Sequence, residues 1–136
     1  MHLFNLLTLI SSACAGAAMG SFLLLTVIHK PVLSKQLDAA SLSTIHARFY
    51  RLNGVLCLLG GLLAALINNQ QAALLFAIIA VSYVFNNMHL LKGIRLQLGR
   101  RDTGRQQGQL TNLYLLQNLM HLLQFVGSGW AIYMLN

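Results

Sequence analysis

The sequence predicts an all-α, polytopic membrane protein: four transmembrane helices in one antiparallel bundle, with both termini outside. Three observations carry this reading. Four apolar stretches each approach or exceed the roughly 20 residues that a helix needs to cross a bilayer core of ~30 Å. Hydrophobic residues make up 57% of the 136 and charged residues only 8%. All nine Lys and Arg residues lie in or beside two of the three connections between the stretches. A chain of this length is one domain.

The first span, Leu3 to Ile28 (3–28), is long enough to tilt or to project beyond the core. It does not read as a cleaved signal peptide. No Lys or Arg precedes it, and the apolar run continues well past the small residues around Ser12 and Ala15. Ser11 stands where a lipoprotein signal ending at Cys14 would need a large aliphatic residue. Pro31 has no backbone N–H to continue the helix and ends or kinks it. Beyond it, Leu33, Leu37, Ala40 and Thr44 recur at helical spacing opposite Lys35, Gln36 and Ser43. The pattern predicts an amphipathic segment over 32–46 on the inner membrane surface.

The second span is 49–67 and the third 72–91. The polar run Asn68-Asn69-Gln70-Gln71 between them is a tight turn that makes them antiparallel neighbours. Gly99 to Gly108 has Gly, Arg and Gln without periodicity and reads as a loop. The fourth span, 110–135, ends the chain.

Charge sets the orientation. Lys30, Lys35, Arg48 and Arg51 flank the first connection, and Lys92, Arg95, Arg100, Arg101 and Arg105 the third. By the positive-inside rule both basic connections are cytoplasmic, which places the chain in a bacterial inner (plasma) membrane with N-out and C-out topology. Trp130 and Tyr133 then fall at the outer interface, where amphipathic rings are favoured. The net charge of +7 faces anionic headgroups, so membrane lipids are the expected partner. No basic surface interleaved with aromatic residues points to nucleic acid.

Polar residues inside the spans form the candidate site. Taking 1.5 Å per residue, Asn53 lies ~6 Å inside the cytoplasmic end of its span, Asn86 ~8 Å, and Gln117 and Asn118 ~10–12 Å, with Gly20 and Ser21 at similar depth. Amides in hydrocarbon need partners, so this layer should face the bundle interior and bond across helices. Tyr114, Gln117, His121, Gln124 and Ser128 step by three and four residues and share one face of the fourth helix. That stripe either packs against the small face Ser12, Gly16 and Gly20 of the first helix or lines a polar path. His121, ~16 Å deep, is expected as a neutral ring bridging Gln117 or Gln124 to a neighbouring helix.

Other chemistries find little support in the residues. A haem with two axial histidines needs a pair at one depth, and His121 has no mate. His29, His46 and His89 near the cytoplasmic boundary are the alternative metal set; otherwise neither metal nor cofactor is expected. Cys14 and Cys57 differ too much in depth to pair and read as small reduced core residues. With no glutamate, and only Asp38 and Asp102 as acids, the spans hold no carboxylate relay. No nucleophile, base and acid fall into register, so no enzyme is expected.

Gly20-Ser21-Phe22, Pro31-Val32-Leu33, Leu37 and Phe49-Tyr50-Arg51-Leu52, with Asn86 and His121, resemble the transmembrane-protein-205-like family of small four-helix membrane proteins. Ser34 departs from that pattern where an aromatic residue is usual, and His29-Lys30 replaces a more apolar pair. The resemblance implies a helical membrane bundle and no particular activity. Arg48-Phe49 with Arg51-Leu52 also looks like the membrane domain of copper-resistance proteins. Two functions are therefore expected in order: a non-enzymatic structural or interaction role, as a homo-oligomer or beside a membrane-complex partner; then transport or binding of a metal or small polar solute along the stripe.

Overall fold

A computed structural model describes residues 2–29, 32, 35–99 and 104–136. Every regular element among them is helical. Helix α1 (His2–Leu23) runs on as a π-helical turn, Leu24–His29. Helix α2 is Ala39–Leu66 and α3 is Gln70–Phe85. A second π-helical turn, Asn86–Leu90, joins α3 to α4 (Leu91–Leu98), and α5 is Gly104–Leu135.

Three helical rods are long and apolar enough to cross a membrane: His2–Val27, Ala40–Leu66 and Gln70–Leu98. Helix α5 is 32 residues long but is not among them, because the polar stripe lowers its apolarity.

The helices outrun the apolar spans at their basic ends. Helix α2 starts at Ala39, well before Phe49, so residues 39–46 are its first turns and not part of a separate surface segment. Asp38 sets that start: it is extended (φ −68°, ψ 162°) and its carboxylate accepts the Ser41 N–H at 3.0 Å. The Ser41 hydroxyl and then its N–H hold the Asp38 carboxyl below the usual carboxylate range. The third rod likewise continues past Leu91 to Leu98, and α5 begins at Gly104, inside the stretch read as loop. Hydropathy marks the hydrocarbon layer, whereas helix ends are set by caps and breakers. Lys, Arg and Gln are good helix formers that carry the backbone into the headgroup region.

The turn between α2 and α3 closes as a Schellman motif. Asn68 takes the left-handed conformation (φ 58°), which asparagine tolerates better than most residues. Its N–H bonds the Ala65 carbonyl at 3.0 Å, and the Asn69 N–H bonds that of Ala64 at 2.9 Å. The Asn69 side chain then caps α3 by accepting from the Ala72 N–H, and its amide donates to the Met134 carbonyl at 2.8 Å. One residue thus ties the turn to the end of α5.

Helix α2 packs on α1 and α3, and α5 packs on the same two, so the rods close into a ring with α1 and α3 at opposite corners. Neighbours run antiparallel: Ser11 meets Gly60 and Ser21 meets Asn53, while Gly127 meets Ile79 and Gln124 meets Ser82. The interior holds Ser11, Asn53, Asn86, Gln117, His121, Gln124 and Ser128 alongside small and aromatic residues. The exterior carries Leu9, Leu62, Ile78, Val81, Leu119 and Val126. Amides, hydroxyls and an imidazole held inside, with aliphatic side chains outside along the rods, is the arrangement expected of a bundle in lipid.

Helix α1 does not pack through Ser12, Gly16 and Gly20. A Cβ at Gly16 or Gly20 would meet nothing within 4 Å, and the buried face is Ser11, Cys14, Ala15 and Ala18. All four are small, and Ser11 supplies a hydrogen bond as well, from its Oγ to the Gly60 carbonyl at 2.8 Å. Both cysteines are free and buried.

Gly60 sits in the closest approach of any glycine among the described residues. Its carbonyl faces Ser11 on α1, while on the α3 side a Cβ would sit 2.8 Å from Cε1 of Phe76, a ring with no exposed surface. Gly60→Ala should destabilise the protein by about 1–3 kcal/mol through overpacking, measured by thermal unfolding in detergent. Gly16→Ala, which meets open space, should leave the transition unchanged. Equal behaviour of the two variants would mean that α2 and α3 are not in this contact.

Candidate functional site

The polar column is built on one face of each of three helices. On α5, Gln117, His121, Gln124 and Ser128 follow at three- and four-residue steps, and all four are buried. On α2, the same spacing aligns Ser43, His46, Tyr50 and Asn53. On the third rod, Ser82 and Tyr83 lie one turn from Asn86, where the π-helical turn begins.

At the centre of the column sits the Tyr50 hydroxyl. Gln117 Nε2 donates to it at 2.6 Å, and it lies 2.7 Å from His121 Nε2. With one lone pair taken by the Gln117 amide, the hydroxyl proton is free to point at the imidazole, which then accepts at Nε2. The His121 ring packs edge-on to Phe22 of α1, with centroids 5.5 Å apart. Tyr50 also packs on Tyr83 at 6.3 Å. These contacts join α1, α2, α3 and α5 at one level.

The remaining members pair in smaller sets. Ser21 Oγ of α1 donates to Asn53 Oδ1 at 2.8 Å, and Asn53 Nδ2 donates to its own helix at the Phe49 carbonyl. Further along α5, Gln124 Nε2 donates to Ser82 Oγ at 2.8 Å, and Ser128 Oγ bonds the Gln124 carbonyl. At the basic end, the His46 Nδ1–H donates to the Leu42 carbonyl at 2.8 Å, and Arg95 Nε donates to Ser43 Oγ at 2.8 Å.

The structure brings together Gln117 and His121, but through Tyr50 and not through each other. Gln124 and Asn53 bond on separate levels to Ser82 and Ser21. Of the three asparagines expected to bond across helices, Asn53 does so, to Ser21 of α1. Asn118 is exposed on the outer side of α5, one residue round from the buried face. Asn86 has no exposed surface, yet neither its amide nitrogen nor its oxygen has a hydrogen-bond partner among the described residues; the same holds for Gln124 Oε1.

The alternative metal set does not gather. His46 is buried on the column, His89 is exposed and stacks near Phe85 at 5.1 Å, and the His29 side chain lies outside the described residues. Among the described residues no group of three His, Cys, Asp or Glu side chains is placed to hold a metal.

Tyr50 is the residue that sequence reasoning missed as a site member. The sequence used it only within the Phe49-Tyr50-Arg51-Leu52 resemblance. Its spacing of three to Asn53 and seven to Cys57 already put it on the buried face.

At the basic end the column meets a cavity of about 40 Å³ lined by Ser43, His46, Tyr114 and Gln117 together with Leu91 and Ile94. It has room for one to a few waters, at roughly 10–15 Å³ each on this measure. Chemically, the column can hold hydrogen-bonded helices in register. It can also relay polarity from the basic end as far as Tyr50 and His121.

Tyr50→Phe removes the hydroxyl that Gln117 and His121 share, so it should cost about 0.6–2 kcal/mol of stability. Asn86→Leu should cost nothing or stabilise, because an unpartnered buried amide is replaced by an apolar group. Thermal unfolding in detergent ranks the two. A destabilised Asn86→Leu beside an unchanged Tyr50→Phe would show that the bonds lie elsewhere.

Comparison with protein-family models, with curated proteins and with solved structures finds no match.

Proposed function

We propose that the chain is an integral protein of the bacterial inner membrane with four membrane-crossing rods and both termini outside, and that it serves a non-enzymatic structural or interaction role there. It acts as a homo-oligomer or beside another membrane protein. The observation that carries this is the way α5 spends its polar groups inside the bundle: Gln117 and His121 on Tyr50, Gln124 on Ser82. With those groups turned inward, α5 presents Leu115, Leu119, Leu122 and Val126 outward, a face suited to lipid. At ~48 Å its length exceeds the bilayer core. Membership of the transmembrane-protein-205-like family is part of the same proposal and rests on the quoted residues.

Topology is testable by reporter fusions. Alkaline phosphatase joined at Asn136 should be active, and joined at Gly104 inactive, because the basic connections stay in the cytoplasm. The reverse pattern overturns the orientation, and activity at both sites overturns the fourth crossing.

A second reading, binding or transport of a small polar solute along the stripe, is favoured by the unpartnered Asn86 and Gln124 Oε1 and by the cavity beside Gln117. Radiolytic water footprinting separates the two. Labelling of His121 as strong as that of exposed His89 would move solute transport ahead of the structural role. A protected His121 keeps the structural role first.

A further inference from the structure

A recessed groove of about 400 Å³ runs along the outer side of α2 and α3, next to the polar column but separated from it by Tyr50 and Tyr83. Its walls are the exposed side chains of Val55 and Leu58 on α2 and of Val84 and Met88 on the third rod. Gly54 opens its floor. A Cβ there would meet only Cβ of Tyr83, at 3.7 Å, so the space over this residue is kept by the missing side chain and not by a clash.

One end of the groove is polar. Arg51 and Asn87 line it there, and Lys92 stands one turn beyond Met88. Arg51 is exposed and has no carboxylate partner among the described residues. Asp38, the acid on the same helix, lies ~20 Å away along the axis. An unneutralised guanidinium at the mouth of an apolar cleft is complementary to an anion carrying a hydrocarbon tail.

We propose that this groove binds one anionic phospholipid, its phosphate at Arg51 and Asn87 and one acyl chain between α2 and α3. Arg51 gives the charge preference, since its planar fork pairs phosphate oxygens in two parallel bonds. Asn87 adds an amide donor beside it. The apolar walls supply chain binding without selecting a headgroup. Basic pockets between membrane helices recognise anionic headgroups by this division of labour. The lipid back-wall is Tyr50 and Tyr83, so a bound chain covers the outer side of the residues that organise the polar column. The inference rests on the membrane reading of the bundle and not on its orientation, which the reporter fusions test separately.

The test uses the full-length protein, purified in mild detergent, stripped of lipid and incubated with dioleoyl phosphatidylglycerol or dioleoyl phosphatidylcholine. Native mass spectrometry counts the lipid retained per chain. The wild type should keep one phosphatidylglycerol in preference to phosphatidylcholine. Arg51→Gln should lose roughly fivefold of that preference, the factor that one basic residue near an anionic surface carries. Lys35→Gln, which removes a charge away from the groove, should keep it. Gly54→Leu should fill the cleft and lose retention of both lipids while the protein still unfolds cooperatively; if that variant does not fold, the comparison of Arg51→Gln with Lys35→Gln decides alone. Equal retention of the two lipids by the wild type overturns the proposal. So does an Arg51→Gln variant that behaves like Lys35→Gln, or a lipid-free dimer that only Gly54→Leu dissociates.

Discussion

Hydrocarbon offers no hydrogen bonds, and that single condition organises the molecule. A polar side chain on an apolar rod is favoured where it finds a partner inside the bundle or projects toward the rod's ends. The result is a ring of antiparallel rods whose interior carries amides, hydroxyls and an imidazole, while Leu, Ile and Val cover the outside. In a water-soluble bundle the same helices would be turned the other way. So many exposed apolar side chains suit a surface covered by lipid or by another protein.

Close approach makes the pairing achievable. A serine hydroxyl or an asparagine amide is short, and it reaches a neighbouring helix only where small residues let the backbones come near. Ser11 reaches the Gly60 carbonyl because Ala15 and Ala18 continue a small face on α1 and Gly60 has no side chain. Phe76 then fills the other side of Gly60 and fixes α3 against α2. At other levels the longer Gln117, Gln124 and Tyr50 side chains make the bonds between helices. Tyr50 does the most joining: its ring packs against Phe49, Tyr83 and His121 and its hydroxyl meets two side chains of α5.

The π-helical turn at Asn86–Leu90 lies on the third rod at the same level. A π turn shifts the helix face by inserting an extra residue into the hydrogen-bond ladder, and such turns recur at functional sites. Here it carries Asn86 inward, with Leu90 buried and His89 outside. Asn86 is the one wholly buried side chain in the column with no partner at either end of its amide among the described residues. A buried unpaired amide works against stability, which marks this position as the place where the bundle departs from pure packing.

The sequence by itself determined the helical class, the apolar rods and the inward-facing stripe of α5, because each is a local periodicity. Gln117, His121, Gln124 and Ser128 follow one helix face whatever lies opposite them. The turn at Asn68 and Asn69 was equally legible, since the residues that tolerate left-handed backbone and cap helices are few. What the sequence could not determine was everything that depends on rotation of one helix against another. A shift of one residue, ~100° of rotation in a 3.6-residue turn, moved the packing face of α1 from Ser12 to Ser11 and put Asn118 outside. Helix ends were hidden because hydropathy follows the lipid layer, whereas Asp38 starts α2 by a hydrogen bond. The choice of Tyr50 as the partner of both Gln117 and His121 belongs to the tertiary structure alone: it requires α2 and α5 at one separation and depth, and no local pattern encodes either.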